Sequence, residues 1–248
     1  ARISWIFDRV VDCLRLLARA ASTGELMLRF LSLALLAAVA GSAQLAEGVW
    51  KTDLARKSID LRELMRGGPP KDGIPAIDRP VFETVESAGK WLSKGELVIA
   101  VELSGEPARA YPLRILMWHE LVNDRVGSVS ILVSYCPLCN SAIVFDRGLA
   151  DGVELTFGVS GMLRNSDMVM FDRETDSLWQ QITGEGIVGV HTGRALRMLP
   201  SQTIPFADFA GMFPEGRVLS RETGFRRDYG KNPYRGYEFG DGPIMRVK

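Results

Sequence analysis

Two closely spaced cysteines are the residues of this chain whose types and spacing point most directly to chemistry. Cys136 and Cys139 enclose Pro137 and Leu138 and directly follow the apolar run 129–135. A thiol pair with this spacing serves as a redox dithiol, as half of a metal site, or as a small structural disulfide. The pair alone leaves these three chemistries open.

The residues after the pair favour a metal-binding turn. Residues 140–148 are β-branched in the middle and end at Gly148, which predicts a short strand. A thioredoxin-like site needs a long helix there, because the helix N-terminus lowers the pKa of the first thiol. Strand, Cys-Pro-x-Cys turn and strand is instead the layout of a metal-binding knuckle, which directs both sulfurs to one side.

A knuckle supplies two ligands, so any others must come from distant parts of the chain. His119 lies between aromatic and apolar residues and is the predicted third ligand, a carboxylate or a methionine being the other candidates. The alternative for His119 is a core histidine bound to a backbone carbonyl. His191 lies in a predicted exposed turn and is interpreted as a surface residue. Two thiolates with an imidazole suit zinc or copper, so Cys136, Cys139 and His119 are predicted to bind one of these metals.

Two further functions are consistent with the same motif. In a thiol–disulfide oxidoreductase, Cys136 would be the attacking thiolate and Cys139 the resolving thiol. In a non-catalytic envelope module, the two cysteines would form a structural disulfide that clips a turn. Whether the protein is an enzyme stays open at this point.

The elements around the pair predict a mainly β fold. Short alternating or β-branched runs separated by Gly, Pro, Asp and Asn predict strands, over residues 97–103, 109–113, 129–135, 142–145, 153–159 and 167–172. Short helices are predicted within 81–92 and over 205–212. This pattern indicates an antiparallel sandwich or barrel-like single domain, α+β with few short helices. With 46% hydrophobic residues the chain can bury a core without disulfides.

The N-terminal residues predict export. Arg29 precedes the apolar stretch 30–40, which is followed by small residues at Gly41 and Ala43. This is the layout of a signal peptide over 27–43, cleaved near Ala43/Gln44, and it predicts a periplasmic or secreted protein. The stretch is short for a membrane span, so an uncleaved anchor is the alternative. Residues 1–26 are interpreted as an upstream extension, residues 44–70 as a lead, and 71–248 as the domain.

The charge of the chain argues against nucleic acid as a partner. Residues 1–43 hold five of the 30 basic and three of the 30 acidic residues, which leaves 25 basic and 27 acidic residues, a net charge of −2. Sequence-independent binding to nucleic acid needs a positive field. No other partner is indicated.

Several motifs together resemble the DUF3179 domain family. The resemblance rests on the segment 135–147 around the cysteines, on 111–124 with His119, and on the motifs at 157–161, 172–179 and 227–234. It runs from about Lys71 to Tyr237, and the combination is more specific than a lone Cys-x-x-Cys. The resemblance implies an exported or membrane-anchored protein that carries His119 together with the cysteine pair, and it implies no defined activity.

Overall fold

Short strands joined by tight turns make up most of the computed structural model, which describes residues 50–234. These residues belong to one compact unit, Gly48–Lys248. The predicted extension at 1–26 and the predicted signal peptide at 27–43 lie outside the described residues. In the part of the chain that is described, no helix has both the length and the apolar character needed to cross a membrane.

The strands in chain order are β1 Met65–Arg66, β2 Phe82–Thr84, β3 Leu97–Val101, β4 Arg109–Pro112, β5 Leu121–Val126, β6 Val129–Cys136, β7 Ser141–Asp146, β8 Phe157–Arg164, β9 Asp167–Asp172, β10 Leu178–Gln180, β11 Glu185–Val188, β12 Arg197–Leu199, β13 Gln202–Pro205 and β14 Arg217–Leu219. The helices are α1 Val85–Ala88, α2 Leu113–His119 and α3 Phe206–Met212, with a 3-10 turn at Leu61–Glu63.

The strands of the described residues form three sheets. Their orders are β1-β8-β9-β10-β11, β12-β7-β6-β5 and β13-β3-β4-β14-β2. Every pairing is antiparallel except that of β14 with β4. The arrangement is sandwich-like, without a closed barrel, so the predicted mainly β, antiparallel fold is confirmed.

Two apolar clusters pack on the sheet that carries the cysteines. One contains Tyr111, Ile115, Val133 and Val144, and the other contains Cys136, Phe145, Phe157 and Trp179. The two sets alternate along β6 and β7, because successive side chains of a strand point to opposite faces. The sheet is therefore buried on both faces, and the end of β6 is held between packed layers.

Some predicted elements differ from the structure. The strand predicted over 153–159 begins only at Phe157, because Leu149 N–H donates to Val153 O at 2.7 Å and closes a turn there. The helix predicted within 81–92 is shorter, since β2 occupies its first residues. Helix α2 was not predicted; it buries Leu113, Ile115, Leu116 and His119, which recur at helical spacing.

Candidate metal centre

The two thiols lie at the ends of a tight turn between β6 and β7. Cys136 is the last residue of β6 and pairs with Ser141, the first residue of β7. Asn140 adopts a left-handed φ of 49°, and the Tyr135 hydroxyl donates to Asn140 Oδ1 at 3.0 Å. The predicted strand–turn–strand layout is therefore confirmed, and no helix follows the cysteines.

Asp167 completes a cluster with the two cysteines. It is the first residue of β9 and is 4% exposed. Its Oδ1 lies 3.3 Å from Cys139 Sγ, and one ligand atom from each of Cys136, Cys139 and Asp167 lies within 4.8 Å of the others. Among the described residues this is the one group of three or more His, Cys, Asp or Glu side chains with such spacing.

The other carboxylate oxygen of Asp167 is held in place by the protein. Oδ2 accepts hydrogen bonds from the Ile182 backbone N–H at 3.0 Å and from Gln180 Nε2. Burial raises the pKa of Asp167 above its ordinary value, against the effect of these donors. These two hydrogen bonds orient Oδ1 towards the thiols, where it could serve as a ligand atom.

The two thiols differ in exposure and in pKa. Cys136 is 1% exposed, whereas Cys139 is half-buried. A hydrogen bond to Cys139, together with burial, raises the pKa of Cys136 well above its ordinary value. The same hydrogen bond lowers the pKa of Cys139, although burial opposes it. Cys139 is therefore the thiol that ionises first.

A network of hydrogen-bonded polar side chains supports the turn that carries the two thiols. Ser141 Oγ lies 3.1 Å from Cys139 Sγ and 2.7 Å from Gln181 Oε1, so its single proton has two possible acceptors. Gln181 Nε2 donates to Ser134 Oγ at 3.0 Å, and Ser134 Oγ donates to Ile143 O at 2.8 Å. The network fixes Ser141 beside Cys139 and makes it a donor or an acceptor as the thiol titrates.

His119 lies outside the cysteine cluster. Its Nδ1 is 2.7 Å from Pro75 O, and its Nε2 is 2.7 Å from the Tyr229 hydroxyl. A carbonyl can only accept, so Nδ1 carries the proton and Nε2 accepts from Tyr229. Burial lowers the pKa of His119, and the nearby Arg227 lowers it further. In this structure His119 is thus a buried histidine whose two ring nitrogens both have protein partners, and it is not among the residues that cluster with the two thiols.

His191 also lies outside the cysteine cluster. It is 8% exposed and its ring lies 5.7 Å from that of Trp179. The prediction of an exposed surface residue is therefore wrong. The turn that carries it folds back on β10, where the His191 N–H donates to Ser177 Oγ at 3.2 Å.

A small cavity of about 210 Å³ borders the buried thiol. Cys136, Glu120 and Tyr234 line it together with apolar side chains. Glu120 is 6% exposed, and the Tyr234 hydroxyl donates to its Oε1 at 2.6 Å. Burial raises the pKa of Glu120 to about 7, although this hydrogen bond opposes the rise. Glu120 was not singled out from the sequence, because its partner Tyr234 lies 114 residues further along the chain.

The position of Asp167 beside the thiols was likewise not predicted. It lies 28 residues from Cys139 and in a different sheet, so no spacing motif connects it with the cysteine pair. The one available signal is its position at the start of an alternating apolar strand, directly after the Asn165-Ser166 turn. A carboxylate there is also a common strand-end residue, and only the three-dimensional packing gives it a partner.

Comparison with known proteins identifies a family for this chain. The family model described as "Protein of unknown function (DUF3179)" matches residues 71–248. The comparisons with curated proteins and with solved structures give no match. The matched range includes both cysteines, Asp167, His119 and Glu120. The chain therefore belongs to the DUF3179 family.

Proposed function

We propose that this protein binds a transition metal ion, zinc or else copper, through Cys136, Cys139 and Asp167. The observation that carries the proposal is the convergence of two sulfurs and one carboxylate oxygen within 4.8 Å. Sulfur and carboxylate oxygen are both regular ligands of zinc. The ligand set differs from the predicted one in that Asp167 replaces His119.

The electrostatics of the cluster supports a cation. Three acidic groups lie together, and Cys136 and Asp167 are both buried. Without a cation they cannot all ionise, because each negative charge raises the pKa of its neighbours. A divalent ion reverses that effect and stabilises both thiolates and the carboxylate. Metal binding should therefore release protons and become tighter as the pH rises.

The type of ligand favours zinc over copper. Thiolates alone suit both zinc and copper(I), but a carboxylate oxygen is a harder ligand that zinc accepts more readily than copper(I) does. Three protein ligands leave the fourth tetrahedral position of zinc for water or a substrate. Such a site can exchange its ligand, which fits a metal carrier or a catalytic centre better than a closed structural site.

Metal analysis of one isosteric variant tests this proposal. In Asp167→Asn, the amide oxygen can keep the bonds to Ile182 and Gln180, while the amide nitrogen replaces Oδ1 beside Cys139. The purified protein should bind a stoichiometric amount of zinc, and the variant should lose affinity by at least about tenfold. The control is Asp151→Asn, because Asp151 forms an exposed ion pair with Arg194 away from the cluster. Equal zinc affinity in both variants and the parent protein would contradict the proposal.

A thiol–disulfide oxidoreductase is the second candidate, and the difference between the two thiols favours it. The half-buried Cys139 has the lowered pKa and the buried Cys136 the raised one, so the roles predicted from the sequence are exchanged. The Cys139 thiolate would attack a substrate disulfide and release one substrate thiolate. Cys136 would then attack the mixed disulfide, releasing the second thiolate and leaving the Cys136–Cys139 disulfide, so that the substrate gains two electrons.

The same variant separates the two candidates. Asp167 raises the pKa of Cys139 through its charge and its hydrogen bond. Asp167→Asn should therefore keep or increase the rate of thiol exchange while zinc binding is lost. A variant that lost thiol exchange but kept zinc would contradict both assignments of Asp167.

A further inference from the structure

A second cavity is a wide cleft of about 1210 Å³ with several basic side chains in its lining. It shares no lining residue with the cavity beside Cys136. It lies between the β2–α1 segment and the irregular loop 220–230. Its lining includes five basic side chains, Lys90, Arg114, Arg221, Arg226 and Arg227, and three acidic ones, Glu83, Glu222 and Asp228. The positive excess is notable in a chain whose formal net charge is zero.

Most of these cations lack a carboxylate partner. Ten arginines of the described residues form ion pairs: Arg56, Arg62, Arg109, Arg114, Arg125, Arg147, Arg164, Arg173, Arg194 and Arg197. Arg114 pairs with Glu96. The other four cations of the cleft have no ion pair within residues 50–234.

Within residues 50–234, the three acidic residues of the cleft form no ion pair with its basic side chains. Glu83 accepts hydrogen bonds from Ser87 Oγ at 2.5 Å and from the Trp91 indole N–H at 2.9 Å. Asp228 pairs with Lys231 at 3.0 Å. The five basic side chains of the lining outnumber its three carboxylates by two, so the cleft keeps a net positive charge that is available to a ligand.

Trp91 orients one of the arginine side chains that line the cleft. The bond to Glu83 fixes its ring, and the Arg221 guanidinium lies 4.9 Å from the ring centroid. This cation–π contact holds the guanidinium over the indole face while leaving its N–H groups free to donate. Arg221 is therefore oriented before any ligand arrives.

His119 anchors the loop that supplies three of the cations. Thr223 Oγ1 lies 2.5 Å from the Tyr229 hydroxyl, which in turn donates to His119 Nε2 at 2.7 Å. His119 Nδ1 donates to Pro75 O at 2.7 Å. This hydrogen-bonded chain ties both ends of the segment carrying Arg226 and Arg227 to the core, and it gives His119 a positioning role.

We propose that this cleft is a binding site for a small anion with two or more carboxylate or phosphate groups. Guanidinium groups bind both kinds of oxyanion through paired N–H donors. Several guanidinium groups around one cleft fit several oxyanion groups on one molecule, and the volume exceeds that of a single inorganic ion. The site is independent of the metal cluster.

Calorimetric titration with two probes tests the cleft. The full chain, in metal-free buffer at low ionic strength, is titrated with succinate as the dicarboxylate and with pyrophosphate as the phosphate. The double variant Arg221→Gln/Arg226→Gln should weaken binding by at least about tenfold, the loss expected when charge-assisted hydrogen bonds are removed. The control is Arg217→Gln, an exposed arginine outside the cleft.

The titrations of the parent protein and the two variants can support or overturn the proposal. Binding of either probe that the double variant weakens and the control keeps supports the proposal, and the probe that binds more tightly identifies the oxyanion. The substituted side chains are exposed, so both variants should keep the unfolding temperature of the parent protein. Absence of binding for both probes, or equal weakening in the control, would overturn the proposal.

Discussion

Replacing Glu120 with glutamine should stabilise the protein at alkaline pH. Glu120 is buried and its pKa is raised from its ordinary value of 4.5 to about 7. The folded state therefore favours the neutral carboxyl. Its contribution to stability is fully present below about pH 4.5 and is lost as the pH rises through 7. Above pH 7 the fold has to accommodate a buried charge that glutamine does not carry.

The size of this effect follows from the pKa. The rise from 4.5 to about 7 corresponds to about 3 kcal/mol, at about 1.4 kcal/mol per pKa unit. Glutamine keeps an acceptor for the Tyr234 hydroxyl and has the same shape. Relative to the parent protein, Glu120→Gln should therefore gain about 2 to 3 kcal/mol in free energy of unfolding between pH 5 and pH 8.

Urea denaturation at both pH values measures this difference. Glu120 has a positive φ of 57°, but the backbone strain is the same in both proteins and cancels. Glu215→Gln is the matched control, because it makes the same substitution at an exposed position. A Glu120→Gln effect of the same size at pH 5 and pH 8 would refute a buried, perturbed carboxyl.

Three further predictions concern the thiols, the histidine and the N-terminus. Iodoacetamide should modify Cys139 at least about tenfold faster than Cys136, since the less buried thiol also has the lower pKa; peptide mass spectrometry that found Cys136 modified first would contradict this. Tyr229→Phe should cost about 1 to 3 kcal/mol in urea denaturation, because it leaves His119 Nε2 without a donor, and an unchanged midpoint would argue against that hydrogen bond. N-terminal sequencing of exported protein should find a start near Gln44, whereas an intact 1–26 segment would exclude the predicted processing.

The strand–turn–strand layout around the cysteines could be predicted from the sequence because its determinants are local. The β-branched Ile143 and Val144 and the following Gly148 indicate a short strand after the cysteines, and the structure has that strand as β7. Local patterns also gave β3, β6 and β9 within one or two residues. These elements depend on neighbours in the chain, which a sequence displays directly.

The grouping of Asp167 with the two cysteines could not be predicted because it depends on contacts between sheets. Asp167 meets Cys139 only where the β8–β9 hairpin packs on the end of β6 and β7. His119 was chosen because histidine is a common ligand, but its two nitrogens are engaged by Pro75 and Tyr229. Tyr229 is 110 residues away in the sequence, so no local pattern distinguishes such a core histidine from a ligand.

X-ray absorption at the zinc edge is the most direct test of the central proposal. Zinc-loaded protein should show a shell of two sulfurs at about 2.3 Å and oxygen at about 2.0 Å, and Asp167→Asn should change that spectrum while Asp151→Asn should not. A spectrum without sulfur, or one with imidazole scattering from His119, would contradict a site built from Cys136, Cys139 and Asp167.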